Sequence, residues 1–367
     1  MAIYIFIFIL FFLFSYLEIR TSIEASQKNV LYIILYSFLV LLVGFRWETG
    51  TDWNQYLKNF TNSTSIDTII VNILLGFEIG YGLFTFFIRS LTDNYTVFLV
   101  IHAILYYFLI FRANKQLSPF PFVSLLVFYV STMGILGSNR QLIALAICLF
   151  SLKFVLEKKA FKFFLCVLIA FLFHTSALLF IVYYFLNRHF SKVFIILVLL
   201  GAIIIGKSSL PGMLFSNIAS LLGGASASKV DIYSENVVSE TSLSLVGLIR
   251  RILFFILFFV NYKILSIKFL PYKLLFNGFF LGLVIYFLFS SSFIALAGRG
   301  SFYFNVMECF LLSSQLLLFK SKRDRAYLLL IFFVYSYLIF FQSISEYPEL
   351  FIPYKGVFIN TDYFREY

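Results

Sequence analysis

The chain has 367 residues, 62% of them hydrophobic and 12% charged, with a formal net charge of +11 at neutral pH. A mean hydropathy of +0.97 excludes an ordinary soluble domain and marks a polytopic membrane protein. The positive charge does not argue for nucleic acid, because lysine and arginine fall mostly in short gaps between apolar runs, where they orient helices.

Reading apolar runs bounded by charge as spans predicts about twelve transmembrane helices. They cover residues 2–17, 30–45, 94–111, 120–136, 140–156, 161–173, 175–186, 192–206, 242–262, 272–293, 302–319 and 326–341. The first run has no cationic flank and no small-residue cleavage site, so it reads as retained. Residues 66–90 are mixed, with Glu78-Ile79-Gly80-Tyr81-Gly82 interrupting an apolar stretch, and read as an amphipathic helix on the outer surface. The two runs flanking His174 are short, roughly 20 Å each. Counting them as two spans places the gaps at Arg112/Lys115, Lys153/Lys158/Lys159/Lys162, Lys263/Lys268/Lys273 and Lys320/Lys322/Arg323/Arg325 on one side, the cytoplasmic one. The expected fold is therefore all-α, a polytopic bundle forming a single transmembrane domain over 1–367. It carries a long extracytoplasmic loop at 206–242 and an extracytoplasmic tail at 343–367.

Polar residues outside the lysine gaps then collect on the outer face. Residues 44–56 place Arg46, Glu48, Thr51, Asp52, both tryptophans (Trp47 and Trp53) and Tyr56 directly after an unbroken apolar run. An interfacial aromatic belt with a snorkelling arginine is the plainer account of that stretch. Further islands lie at Glu78–Tyr81, at Asn139-Arg140-Gln141, at His174-Thr175-Ser176, at Arg299 to Tyr303, and in the tail at Pro353-Tyr354-Lys355. Arg250-Arg251 lies inside the outer end of a span, where a cation is costly and wants an anionic partner. Arginine grips phosphate oxygens through its planar fork, and Arg140 opens a helix whose N–H groups also favour an anion. These outward arginines suit an anionic, lipid-borne ligand. The three histidines and three cysteines show no metal-ligand spacing, so neither metal nor cofactor is expected.

Phe45-Arg46 with Thr49-Gly50-Thr51-Asp52 and Tyr56, then Glu78-Ile79-Gly80-Tyr81, Asn139-Arg140-Gln141, Phe173-His174 with Ser176-Ala177, and Pro353-Tyr354-Lys355 occur in an order that resembles the EpsG-like family of exopolysaccharide and O-antigen polymerases. The resemblance covers nearly the whole chain and is least distinct over 207–241 and the final helices. It implies a Wzy-type, metal-independent polymerase of GT-C-like architecture in the bacterial inner membrane. Its donor and acceptor would be undecaprenyl-pyrophosphate-linked oligosaccharides at the outer face of the bilayer, with a chain-length regulator and a flippase as candidate partners. On this reading Arg46, Arg140, Arg250, Arg251 and Arg299 meet pyrophosphate. Thr51, Tyr56, Glu78, Gln141, Tyr303 and Tyr354 hold sugars or order the site, and His174 or Asp52 takes the acceptor proton. His174 is favoured as that base, since a carboxylate beside a guanidinium is a weaker one. A flippase for the same lipid-linked sugar and a membrane O-acyltransferase are the alternatives.

Overall fold

The computed structural model describes residues 1–21, 23–74, 76–214, 217, 245–292 and 296–365. Most of the expected loop at 206–242 lies outside the described residues. Among those described, the regular structure is helical, apart from isolated bridges that pair Gly356 with Arg46 and with Ile359.

Among the described residues, helical structure falls within each of the twelve expected runs, but only seven helices are long and apolar enough to cross a membrane. Four of the seven are Ala2–Arg20 (α1), Ala25–Gly44 (α2), Tyr95–Leu117 (α6) and Asn139–Leu156 (α8). The others are Tyr272–Phe289, Ser301–Leu318 and Lys322–Ser345. The remaining runs form shorter elements: Pro121–Thr132 (α7), Ala160–Phe173 (α9), Thr175–Leu186, Lys192–Gly206 and Leu245–Val260. The run after His174 does not begin as the α-helix that was expected. Residues Thr175–Val182 are a 3-10 helix, followed by one α-turn at Tyr183–Leu186. The stretch 66–90 is two helices rather than one, Ile66–Leu74 (α4) and Ile79–Leu91 (α5), because Gly76 takes a φ of 87° and turns the chain between them. The helix Trp53–Asn62 (α3) precedes them.

The chain divides into two compact units, residues Met1–Ile181 with Leu312–Tyr367, and Val182–Leu311. In the first, α8 runs through the middle. Ile143, Ala144, Leu145, Ala146 and Cys148 are all sealed, and consecutive buried residues point around the whole circumference of a helix, so α8 is enclosed by protein on every side. It packs between α6 and α9, while α2 packs on α6 and α1 on α7 and Lys322–Ser345. Phe8 fits between Phe333 and Phe340 at centroid distances of 5.0 and 5.4 Å.

The polar ends of this unit differ in kind. At one end Glu18 pairs with Lys28 and accepts the Phe122 N–H at 3.1 Å, Lys115 donates to Asn29 at 2.9 Å, and Arg325 lies over Phe120. The Lys153–Lys162 gap likewise lies at the end of α8 away from Asn139. The opposite end gathers the C-terminus of α2, the N-terminus of α8 and the C-terminus of α9.

In the second unit Lys192–Gly206 (α11, with Tyr183–Leu186 as α10) packs on Tyr272–Phe289. Tyr183 stacks on Phe304 at 5.3 Å, and Asn277 ties the carbonyls of Leu186 and Arg188.

Candidate functional site

Two loops, 46–52 and 136–139, make the floor of the site, and glycine lets them touch. Gly50 and Gly137 have φ of 99° and 115°. A Cβ on Gly50 would strike the Leu136 carbonyl, and one on Gly137 would strike the Thr51 backbone. In that close approach the Thr51 N–H donates to the Leu136 carbonyl at 2.8 Å, and the Thr51 and Ser138 hydroxyls lie 3.3 Å apart.

Arg46 is 1% exposed beneath this floor. Its Nη1 donates to the Thr49 carbonyl at 2.9 Å, its Nη2 to Asn139 Oδ1 at 2.8 Å, and the guanidinium lies 5.4 Å from the Trp53 ring. Burial pulls this guanidinium below its ordinary value, an effect opposed by Tyr95 and Tyr354 nearby. The tail covers the loop from the other side. The Trp47 N–H donates to the Lys355 carbonyl at 2.9 Å, the Gly50 N–H to that of Leu350 at 2.9 Å, and the Val357 N–H to that of Phe45 at 3.0 Å. Lys355 Nζ meets Glu48 at 2.5 Å, and Arg365 donates to the carbonyls of Glu349 and Pro353. Tyr354 is sealed, its hydroxyl donating to the Leu42 carbonyl at 2.8 Å. In this structure Arg46 and Tyr354 bond protein groups and not the outer surface.

Arg140 behaves differently. From the first turn of α8 its Nη1 donates to Glu78 Oε2 at 2.7 Å and to the Gly76 carbonyl at 2.8 Å, and its Nε donates to the Tyr56 hydroxyl at 3.3 Å. The guanidinium also lies over the Phe77 ring at 4.5 Å. Its Nη2 has no acceptor among the described residues, and the side chain remains 17% exposed. The other oxygen of Glu78 accepts the Thr175 N–H at 3.2 Å, so one carboxylate links the start of α8 to the turn after His174. Gly80, two residues on, lets α5 lie directly against the Leu172 backbone. His174 is half-buried, with Nδ1 2.6 Å from the Ser176 hydroxyl and 3.3 Å from the Ser176 backbone nitrogen.

Asp52 is exposed at the start of α3, in the left-handed region at φ 56°, with its Oδ2 3.5 Å from Ser138 Oγ. Tyr56 is buried, and burial raises its phenol while Arg140 opposes the rise. Gln141 is 8% exposed on α8. The structure thus brings Asp52, Thr51, Tyr56, Glu78, Arg140 and His174 to one end of the first unit.

Arg250, Arg251 and Tyr303 belong to the second unit, where Arg251 lies 4.4 Å from the Tyr286 ring and Tyr303 is sealed with its carbonyl near the Tyr183 hydroxyl. Arg299 lies in the π-helical turn Leu296–Gly300, and its side chain is outside the described set. Of the aromatics expected to hold sugars or order the site, Tyr56, Tyr303 and Tyr354 are all buried at 4% exposed or less, as are Trp53 and Tyr81 of the same polar stretches. Sequence reading left Asn139 and Gly137 off the list of working residues. Their signal was position: both lie within three residues of Arg140, in the one polar break before α8.

The arrangement defines a class, a multispanning helical membrane protein whose first unit gathers Thr51, Asp52, Tyr56, Glu78, Arg140 and His174 at one end. A family model described as the EpsG family matches residues 29–356, and the chain belongs to that family. EpsG is a bacterial membrane family of polysaccharide-polymerase type. No curated protein and no solved structure matches the chain.

Proposed function

We propose that the chain is a glycan polymerase of the plasma membrane with its site on the exterior face. It transfers a growing glycan from a lipid pyrophosphate carrier, undecaprenyl pyrophosphate, to a hydroxyl of the next lipid-linked repeat unit, in the manner of GT-C-type glycosyltransferases. The observation that carries this reading is Arg140, held by Glu78, Gly76 and Tyr56 so that Nη2 keeps its hydrogens for an outside acceptor at the N-terminus of α8. A helix start and a guanidinium together make an anion site.

In the reaction, the bond between the anomeric carbon and the pyrophosphate oxygen breaks, and its electron pair leaves with the pyrophosphate. Arg140 stabilises that developing charge. The acceptor hydroxyl forms the new bond and passes its proton to exposed Asp52, which returns it to water. Arg46 acts indirectly, by holding Thr49 and Asn139 and so fixing the floor on which Asp52 and Arg140 stand.

Binding of lipid pyrophosphate and lipid monophosphate to purified protein tests the Arg140 role. The wild type prefers the pyrophosphate, and Arg140→Lys loses that preference because lysine lacks the fork. An unchanged preference in Arg140→Lys contradicts the assignment.

A further inference from the structure

Asn139 opens α8 and is fastened to its surroundings at both backbone and side chain. Its N–H donates to the Gly137 carbonyl at 2.7 Å, and its Oδ1 accepts Arg46 Nη2 at 2.8 Å. Its carbonyl lies 3.0 Å from Nε2 of His102. His102 belongs to α6 and is 1% exposed, its ring 6.3 Å from that of Phe98 one turn earlier. The proposed reaction makes no use of it. A carbonyl oxygen can only accept, so Nε2 carries the hydrogen, and a neutral imidazole then leaves Nδ1 bare. A charged ring in this sealed place, near the Arg46 guanidinium, would be worse placed still. Nδ1 is buried with no hydrogen-bond partner among the described residues. A sealed acceptor left bare costs at least as much as one neutral hydrogen bond returns, so a leucine would serve the fold as well. The histidine needs another reason.

The reason lies in the next residue of the chain. The Asn139 carbonyl and the Arg140 N–H belong to one planar peptide unit, so holding the carbonyl fixes the plane from which Arg140 departs. We propose that His102 is a positioning residue, whose Nε2–H fixes the Asn139–Arg140 peptide and thereby aims the Arg140 guanidinium. Resting on the function proposed above, the group so aimed is the one that meets the pyrophosphate. Arg46 grips the side chain of Asn139 from the loop after α2, and His102 grips its backbone from α6. Glu78, Gly76 and Tyr56 hold the far end of the Arg140 side chain. With His102 acting at the near end, the guanidinium is set from both ends. His102 neither touches substrate nor passes a proton.

The tautomer can be read without any turnover. The chain has three histidines, so the full-length protein labelled with ¹⁵N-histidine in lipid nanodiscs gives few signals, and His102→Gln assigns the one at issue. The expected spectrum at neutral pH shows a protonated Nε2 and a bare Nδ1 for His102. A hydrogen on Nδ1, alone or together with Nε2, overturns the proposal. A second arm measures the extension of lipid-linked repeat units at equal amounts of folded protein. Glutamine reaches the place of Nε2 with its amide N–H, whereas asparagine stops near that of Nδ1, so the two amides separate position from polarity. His102→Gln stays within about twofold of the wild type, while His102→Asn and His102→Leu fall about fivefold, the worth of one neutral hydrogen bond. Glutamine as slow as leucine, or leucine as fast as the wild type, overturns the proposal. If His102→Leu does not accumulate in the membrane, the difference between asparagine and glutamine decides, and equal rates for those two overturn it. If the wild type does not extend these units, the proposed function falls, and the spectrum still shows whether His102 holds the Asn139 carbonyl.

Discussion

Removing the Glu78 carboxylate tests how the site is built. Glu78 accepts a charge-assisted bond from Arg140 at 2.7 Å and a neutral one from the Thr175 N–H at 3.2 Å, with side-chain exposures of 17% for Arg140 and 8% for Glu78. Bonds to charged groups are worth about 1.5–3 kcal/mol and neutral ones about 0.5–1.5 kcal/mol, so Glu78→Ala forfeits about 2–4.5 kcal/mol of orientation. If that loss falls on the arrangement that supports turnover, the rate drops by about 30- to 2000-fold, at tenfold per 1.36 kcal/mol. Glu78→Gln keeps one acceptor oxygen and puts a donor NH2 in place of the other, so it loses the charge assistance and one of the two bonds, about 1.5–3 kcal/mol or roughly 10- to 150-fold. The assay is the rate at which purified protein in nanodiscs lengthens lipid-linked repeat units, normalised to folded protein by size-exclusion profile. Glu78→Ala and Arg140→Ala should be far less than additive, because each removes the same contact. Full additivity, or wild-type turnover in Glu78→Ala, refutes the view that this carboxylate fastens Arg140 to the His174 turn.

Gly137→Ala forces a side chain into a left-handed backbone against Thr51; strain at such positions costs about 1–3 kcal/mol, and thermal unfolding in detergent should drop accordingly, whereas an unchanged midpoint would mean that the two loops do not interlock as described. Arg46→Ala should leave Asn139 Oδ1 unpaired in a sealed site and reduce the amount of folded protein, so normal abundance with selectively weaker lipid binding would return Arg46 to the surface. Lys355→Met leaves Glu48 without its partner and should loosen the tail, measured as faster proteolysis after residue 347; unchanged proteolysis would show that the tail is held without that pair. After replacement of the native cysteines, a cysteine at Asn54 should react with a membrane-impermeant reagent in intact cells and one at Ser321 should not, and the reverse pattern would invert the orientation.

The fold was legible because composition left little choice. Apolar runs separated by lysines can only be helices in a bilayer, and the run 192–206 matches its helix residue for residue. The candidate site was legible in part, because Arg46–Asp52, Glu78, Arg140 and His174 are dense polar breaks in an apolar chain. Their depth was not legible. Arg46 and Arg140 look alike in sequence, but the buried Arg46 bonds Asn139, 93 residues away, whereas Arg140 keeps an open nitrogen beside Glu78, the residue that precedes α5. Tyr354 was read among the residues that hold sugars or order the site, and nothing local shows that its hydroxyl reaches Leu42. The turn after His174 was not legible either, since residues Thr175–Val182 form a 3-10 helix where the apolar pattern suggested an α-helix.

Reconstitution with a defined substrate bears most directly on the central claim that this chain joins glycan units by itself. Purified protein in nanodiscs is mixed with a lipid-pyrophosphate-linked repeat unit alone, and the products are resolved by size. The account predicts a ladder of lengthening glycans with release of lipid pyrophosphate, abolished in Arg140→Ala. Substrate that crosses the bilayer of a sealed vesicle in the same preparation without any lengthening would contradict it.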